Sequence, residues 1–339
     1  MTLNAITHFR ALAIVFVVAS HCILLAHYDT PSLMQGTFIN LITGATVFFV
    51  LISGILFQTV FVPRYSFRRF MRSKLRNVAL PYLVLSLPLI VFTTLQDRPH
   101  PDTGGAEQIL HGATLFFTGN TVIAYWYVPA ILVIFLMSPL HMAFQRLSLS
   151  HQLSLTAMLY LLSNIAQRSV EDMFIPQSVL YFTPVYLTGM IYSQNRQRFL
   201  PSLKRLSLPL LLLAITLAML AAQAGHYGNY HTGFSLRWTE FDLMMPQKIA
   251  LSFAILGGLE RYADRPIAWS QTLADASFGI FFLHAPMIAL LLEAGYQPLF
   301  AAPLANIAVM TTLLFALCLS AIALLRRLFP AHSRRLVGA

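Results

Sequence analysis

Residues 6–26 read ITHFRALAIVFVVASHCILLA, an apolar run interrupted by Arg10 and His21. As a helix rising about 1.5 Å per residue, the run spans a hydrocarbon core of ~30 Å. A cation at that depth costs ~2.5–3.5 kcal/mol on insertion scales, so it is seldom kept without a task. Arg10 and His21 are eleven positions apart. Eleven helical steps turn about 20° beyond three revolutions, so the two side chains share a face at a separation of about 16 Å. They are too far apart to touch each other. They suit a long ligand gripped at one end and reacted at the other.

The rest of the chain agrees with a membrane setting. Of 339 residues, 57% are hydrophobic and only 10% charged, and mean hydropathy is +0.69. A soluble globular protein has roughly 25% charged residues. The first run lacks a basic leader and an Ala-x-Ala cleavage site, so it reads as a retained membrane helix rather than a signal peptide. Cys22 and Cys318 both fall in apolar runs, which argues against a disulfide framework, and neither has metal-ligand spacing to another residue. A net charge of +10 would suggest nucleic acid in a soluble protein. Here positive-inside sorting accounts for it, and no nucleic-acid partner is expected.

Ten spans are expected, near 6–28, 38–60, 77–95, 124–143, 153–167, 175–193, 207–224, 243–259, 272–293 and 301–325. With both termini cytoplasmic, nearly all Lys and Arg fall on the inner side. The exceptions are Arg98, Arg168, Arg237 and Lys248 at the outer side and Arg10 within the membrane. The expectation is therefore an all-α polytopic bundle: one membrane domain over residues 1–330, followed by a short basic tail at 331–339. Residues 107–120 are expected to lie along the outer interface. His8 and His27 also read as interfacial, as does Trp126.

Several segments carry candidate chemistry. Ser53-Gly54 closes a Phe-rich stretch, where a small pair usually marks close helix packing. Arg68, Arg72 and Arg76 recur every four residues beside Arg69, giving a basic stripe on a helix. Such a stripe serves either to anchor anionic lipid or to cradle phosphates with planar guanidinium forks. Tyr125-Trp126-Tyr127 and the late segment Ser277-Phe-Gly-Ile-Phe-Phe-Leu-His284 follow. Glu171 and Asp172 lie at an outer edge, where they could orient a proton on His21. His226, Tyr227, Tyr230, His231, Trp238, Glu240 and Asp242 form an aromatic, polar outer loop that reads as an ordinary wet loop.

Taken in order, these segments resemble the acyltransferase-3 family of integral-membrane acyltransferases. The likeness rests on Arg10 and His21, on Phe49 with Ser53-Gly54, and on Arg72, Arg76, Pro81 and Tyr82. Trp126, Gly189 and Ser277 to His284 complete it, and it runs over roughly residues 5 to 325. The resemblance implies transfer of an acyl group, often acetyl, from acyl-CoA to a hydroxyl of a surface glycan or lipid-linked saccharide. It also implies a bacterial inner membrane. On that reading His21 acts as general base or carries the acyl group transiently, and both routes stay open. Arg10 is assigned to the donor, with Arg68, Arg69, Arg72 and Arg76 holding its phosphates. Ser53, Trp126, His284, Glu171 and Asp172 are possible supporting residues. No permanently bound cofactor is expected, and the partners are acyl-CoA, the saccharide acceptor and the bilayer. A transporter or flippase of a glycan or small anionic solute is the competing class, since such proteins also keep Arg and His inside the membrane. No matched pair of Gly/Pro-broken helices in two halves supports it.

Overall fold

The computed structural model describes residues 4–26, 31–96, 105–168, 173–229 and 241–330. Among them it is all-helical, with no strand. In chain order the helices are α1 (Asn4–His21), α2 (Leu33–Ile42), α3 (Thr46–Leu56), α4 (Phe67–Lys74), α5 (Leu80–Gln96), α6 (Gly105–Thr118) and α7 (Tyr127–Leu136). There follow α8 (Ser138–Phe144), α9 (Leu149–Ala166), α10 (Ile175–Gln194), α11 (Arg196–Gln223), α12 (Met244–Leu259), α13 (Ala268–Glu293) and α14 (Pro303–Leu328).

A helix lies at each of the ten expected places, but their lengths and continuity differ from expectation. Among the described residues, six helices are long and apolar enough to cross a bilayer alone. A seventh joins them if the bent pair α7–α8 counts as one span. That pair turns by 56° at Met137. The expected span at 38–60 falls within one span from Leu33 to Arg64, whose helix is broken at Thr43–Ala45, where Gly44 adopts a positive φ of 74° that ends α2. The basic stretch is helical, as its four-residue interval implies. A π turn over Leu75–Ala79 joins α4 to α5, making a continuous span from Phe67 to Gln96. The segment near 107–120 is α6. The tail 331–339, His27, Glu171, Asp172 and the loop residues Tyr230, His231, Trp238 and Glu240 lie outside the described residues.

Where the chain breaks its own backbone pairing, side chains fill in. Pro184 has no N–H for the Leu180 carbonyl, which accepts instead from the Ser163 hydroxyl at 3.0 Å. Pro286 likewise leaves the Phe282 carbonyl to the Tyr125 hydroxyl at 2.9 Å. The break after α2 leaves the Asn40 and Leu41 carbonyls without helical donors. The Lys248 ammonium of α12, fully buried, bonds them at 2.8 and 2.7 Å. A residue expected at the outer edge thus serves as an internal cap. α3 and α10 meet antiparallel through glycines: a Cβ on Gly54 would overlap the Tyr186 carbonyl, and one on Gly189 the Leu51 carbonyl. For Gly54 the packing reading therefore holds.

Candidate active site

Helix α1 carries both expected residues on the face it presents to α13. Three polar rungs join the two helices. His8 Nδ1 pairs with Ser270 Oγ at 2.6 Å, Arg10 donates to the Ala274 carbonyl at 2.8 Å and to Ser277 Oγ at 3.2 Å, and His21 Nδ1 lies 2.8 Å from His284 Nε2. Residue numbers rise together on both helices, so α1 and α13 run parallel. His8 is buried rather than interfacial, with its other ring nitrogen against the Arg265 carbonyl.

The His21–His284 contact fixes a proton arrangement. His284 Nδ1 lies 2.9 Å from the Ile280 carbonyl, and a carbonyl can only accept, so Nδ1 carries the hydrogen. In the neutral imidazole Nε2 is then a lone pair, and the hydrogen between the rings belongs to His21 Nδ1. His21 is left with an unprotonated Nε2. The ring planes are within 6° of each other, with centroids 5.1 Å apart. His284 itself is fully buried, whereas His21 is only partly so. One histidine is therefore a fixed acceptor and the other presents a base.

The two ends of α1 open into different cavities. Arg10 lines one of about 580 Å³, together with Ser53, Lys74, Asn77, Tyr127 and Ser277, and with Arg326 exposed at its rim. His21 lines a second, of about 240 Å³, with Thr46, Asn120, Trp126, Arg168 and Asn229. Aromatic rings stand between them. Tyr127 and Phe278 face the larger cavity and Phe281 the smaller. Phe281 lies 5.6 Å from Tyr127 and 6.0 Å from Phe278, centroid to centroid. Ser53 lies beside Tyr127 on the wall of the larger cavity, so the Ser-Gly pair divides its work: the glycine packs and the serine borders a ring of this partition.

The basic stripe is placed differently from expectation. Arg68, Arg69, Arg72 and Arg76 are all exposed, and Arg68, Arg72 and Arg76 share a shallow outer groove with Phe67, Met71 and Leu75. None of them lines the Arg10 cavity. Its cations from that span come from the opposite face, where Lys74 rests on Phe61, Phe70 and Phe135 at 5.0, 5.2 and 4.3 Å. Sequence reasoning missed Lys74 because the stripe at a four-residue interval drew attention to the wrong face. The π turns at Phe57–Phe61 and Leu75–Ala79 both border this cavity, a common place for such turns.

At the other end, Trp126 is buried instead of belonging to an interfacial belt. It is stacked on Phe182 with its face under the Arg168 guanidinium at 4.4 Å. Arg168 Nη1 donates to Asn229 at 2.8 Å, while its Nε finds no partner among the described residues. Burial pulls Arg168 down to about 10, opposed by the nearby Asp242 carboxylate, so it stays cationic at neutral pH. Asp242, expected in a wet loop, is buried and accepts from the Tyr181 hydroxyl at 2.6 Å.

These features define an integral-membrane protein with a polar axis along one helix and a cavity at each end of it. The chain belongs to the acyltransferase-3 family, whose model, described as an acyltransferase domain, matches residues 3–326. Searches of the curated proteins and of the solved structures gave no match.

Proposed function

We propose that the protein transfers an acyl group, acetyl being the expected one, from acyl-CoA to a hydroxyl of a surface glycan or lipid-linked saccharide. It would do so across a bacterial inner membrane, with ten spans and both termini cytoplasmic. The observation that carries this reading is that His21 and Arg10 face separate cavities divided by one aromatic layer. Arg10, Lys74 and Arg326 supply positive charge for the donor's phosphates in the larger cavity. An extended pantetheine arm passing Tyr127 and Phe281 would carry the thioester toward His21. His21 Nε2 takes the proton of the acceptor hydroxyl as its oxygen bonds the thioester carbon. The C–S bond then breaks, and the leaving thiolate recovers the proton. Base catalysis of this kind contributes about 10²–10⁴-fold.

The test uses purified protein in vesicles with labelled acetyl-CoA and a membrane saccharide extract. Label should enter the saccharide fraction with the wild type and not with His21→Ala, while both reach the membrane equally. Label retained on protein after rapid denaturation at neutral pH in the absence of acceptor, and lost on brief acid treatment, would assign His21 the acyl-carrier route. Saccharide flux without thioester turnover would instead establish the transporter class.

A further inference from the structure

Resting on the acyl-transfer reading, we infer that Arg168 and the N-terminus of α3 form the oxyanion site for the reaction at His21. Attack on a thioester drives negative charge onto the carbonyl oxygen, and fixed donors aimed at that oxygen are usually the largest single catalytic contribution. The His21 cavity holds two sources of positive potential besides the base.

The first is Arg168. It is 4% exposed, yet it lines the cavity, and it is close enough for its charge to act on the His21 ring. Two contacts hold it in place: the Trp126 face beneath the guanidinium and the Asn229 side chain on Nη1. Its buried Nε has no acceptor among the described residues. A donor left unpaired inside a protein costs free energy, and it is retained where it has a ligand to meet. The second is the start of α3. Gly44, Ala45 and Thr46 line the same cavity, and the eleven-residue helix beginning at Thr46 directs the positive end of its dipole there. An uninterrupted helix would offer no such terminus. The break exists because Gly44 takes a positive φ and Lys248 satisfies the carbonyls it frees.

The arrangement is that of a hydrolase-type centre laid out across a membrane helix pair. His21 is the base, His284 orients it, and Arg168 with the α3 terminus receives the charge. As the acceptor oxygen bonds the carbonyl carbon, the carbonyl π electrons move onto oxygen beside Arg168. As the C–S bond breaks they return, so the guanidinium neither gains nor loses a proton.

The test compares wild type, Arg168→Met, Arg168→Lys and His21→Ala as full chains in phosphatidylethanolamine–phosphatidylglycerol vesicles. Acetyl-CoA is the donor, glucose at varied concentration is the hydroxyl acceptor, and thiol release is the readout. Arg168→Met keeps the bulk over Trp126 and should lower kcat by about 10²–10³-fold, with both KM values within about threefold. Arg168→Lys, restoring the charge without the fork, should recover at least tenfold of that loss, and it is the deciding variant if the methionine form does not fold. The inference is overturned if a folded Arg168→Met retains kcat within threefold. It is equally overturned if the loss appears only as a higher KM for the sugar, which would make Arg168 an acceptor-binding group, or if the lysine form is no better than the methionine form. Wild type no faster than His21→Ala would instead defeat the acyl-transfer reading itself.

Discussion

Replacing His284 by Phe isolates what the second histidine contributes. The ring is fully buried, and its Nε2 is the acceptor that keeps the hydrogen on His21 Nδ1. Phe fills the same space but accepts nothing, so His21 loses its only α13 partner and either tautomer becomes open to it. The wrong tautomer places a hydrogen on the nitrogen that must act as base. The 2.8 Å bond also holds the ring coplanar with its partner, so both the population and the aim of Nε2 suffer. General-base catalysis sets a ceiling of about 10²–10⁴-fold, and partial loss of it predicts a drop in kcat of about 10–100-fold. That corresponds to about 1.4–2.7 kcal/mol of barrier. The stability cost of the missing bond is only about 1 kcal/mol, so the protein should remain folded. His284→Gln retains a carbonyl acceptor and should recover to within about tenfold of wild type. Single-turnover transfer from labelled acetyl-CoA reads the rate, and a melting curve in detergent reads the fold. A folded His284→Phe protein with wild-type kcat would refute the proton arrangement. A glutamine variant no better than the phenylalanine one would reduce His284 to packing.

Further predictions concern the two ends and the scaffold. Lys74→Ala should weaken CoA binding about tenfold or more, whereas Arg68→Ala with Arg72→Ala should leave it within twofold, because of these three only Lys74 lines the cavity proposed for the donor; isothermal titration with CoA checks both. Gly54→Ala should lower the melting temperature, since the new Cβ overlaps a backbone carbonyl that no rotamer change can move; overpacking of this kind costs about 1–3 kcal/mol or more. Lys248→Met deprives the Asn40 and Leu41 carbonyls of their donor, at about 1–3 kcal/mol each. No longer burying an ammonium offsets part of that, so the net result should be a lower melting temperature together with reduced turnover as the start of α3 shifts.

What could be read from the sequence was whatever a helix makes periodic. Arg10 and His21 share a face because eleven residues close to an integral number of turns, and α13 meets that face with Ser277 and His284. The same periodicity misled at the basic stripe. A four-residue interval puts Arg68, Arg72 and Arg76 on one side of a helix but does not say which side the bundle covers. The rings that hold Lys74 come partly from Phe135, sixty-one positions away, which no local pattern reports. Gly44 was a signal within reach. A glycine inside an apolar run is a candidate helix end, and its positive φ here interrupts the helix within a span that otherwise runs on from Leu33 to Arg64. Lys248 and Trp126 gave no such hint, because a lone cation or aromatic near a span end looks alike whether it faces lipid headgroups or a buried partner.

The cations inside the bundle sort themselves by how they are satisfied. Lys248 has two carbonyls and no exposure, and it touches neither the Arg10 nor the His21 cavity, so its charge is used up in holding the chain break. Arg10 reaches a carbonyl and a hydroxyl of α13 while still bordering the larger cavity. Lys74 rests on aromatic faces, and Arg168 lies over Trp126 and Phe182 and donates to one amide, its Nε having no partner among the described residues. Aromatic faces stabilise a cation without consuming its hydrogen bonds, so both residues keep donors for something else. Keeping charge at such depth costs several kcal/mol per ion unless it is paired, and the molecule tolerates that cost at cavity walls on both sides of the Tyr127–Phe281 layer. A bundle built only for stability would have satisfied these groups as it satisfied Lys248. That it did not, at both ends of the helix carrying Arg10 and His21, is the physical reason behind the proposal that puts donor recognition at one end and bond exchange at the other.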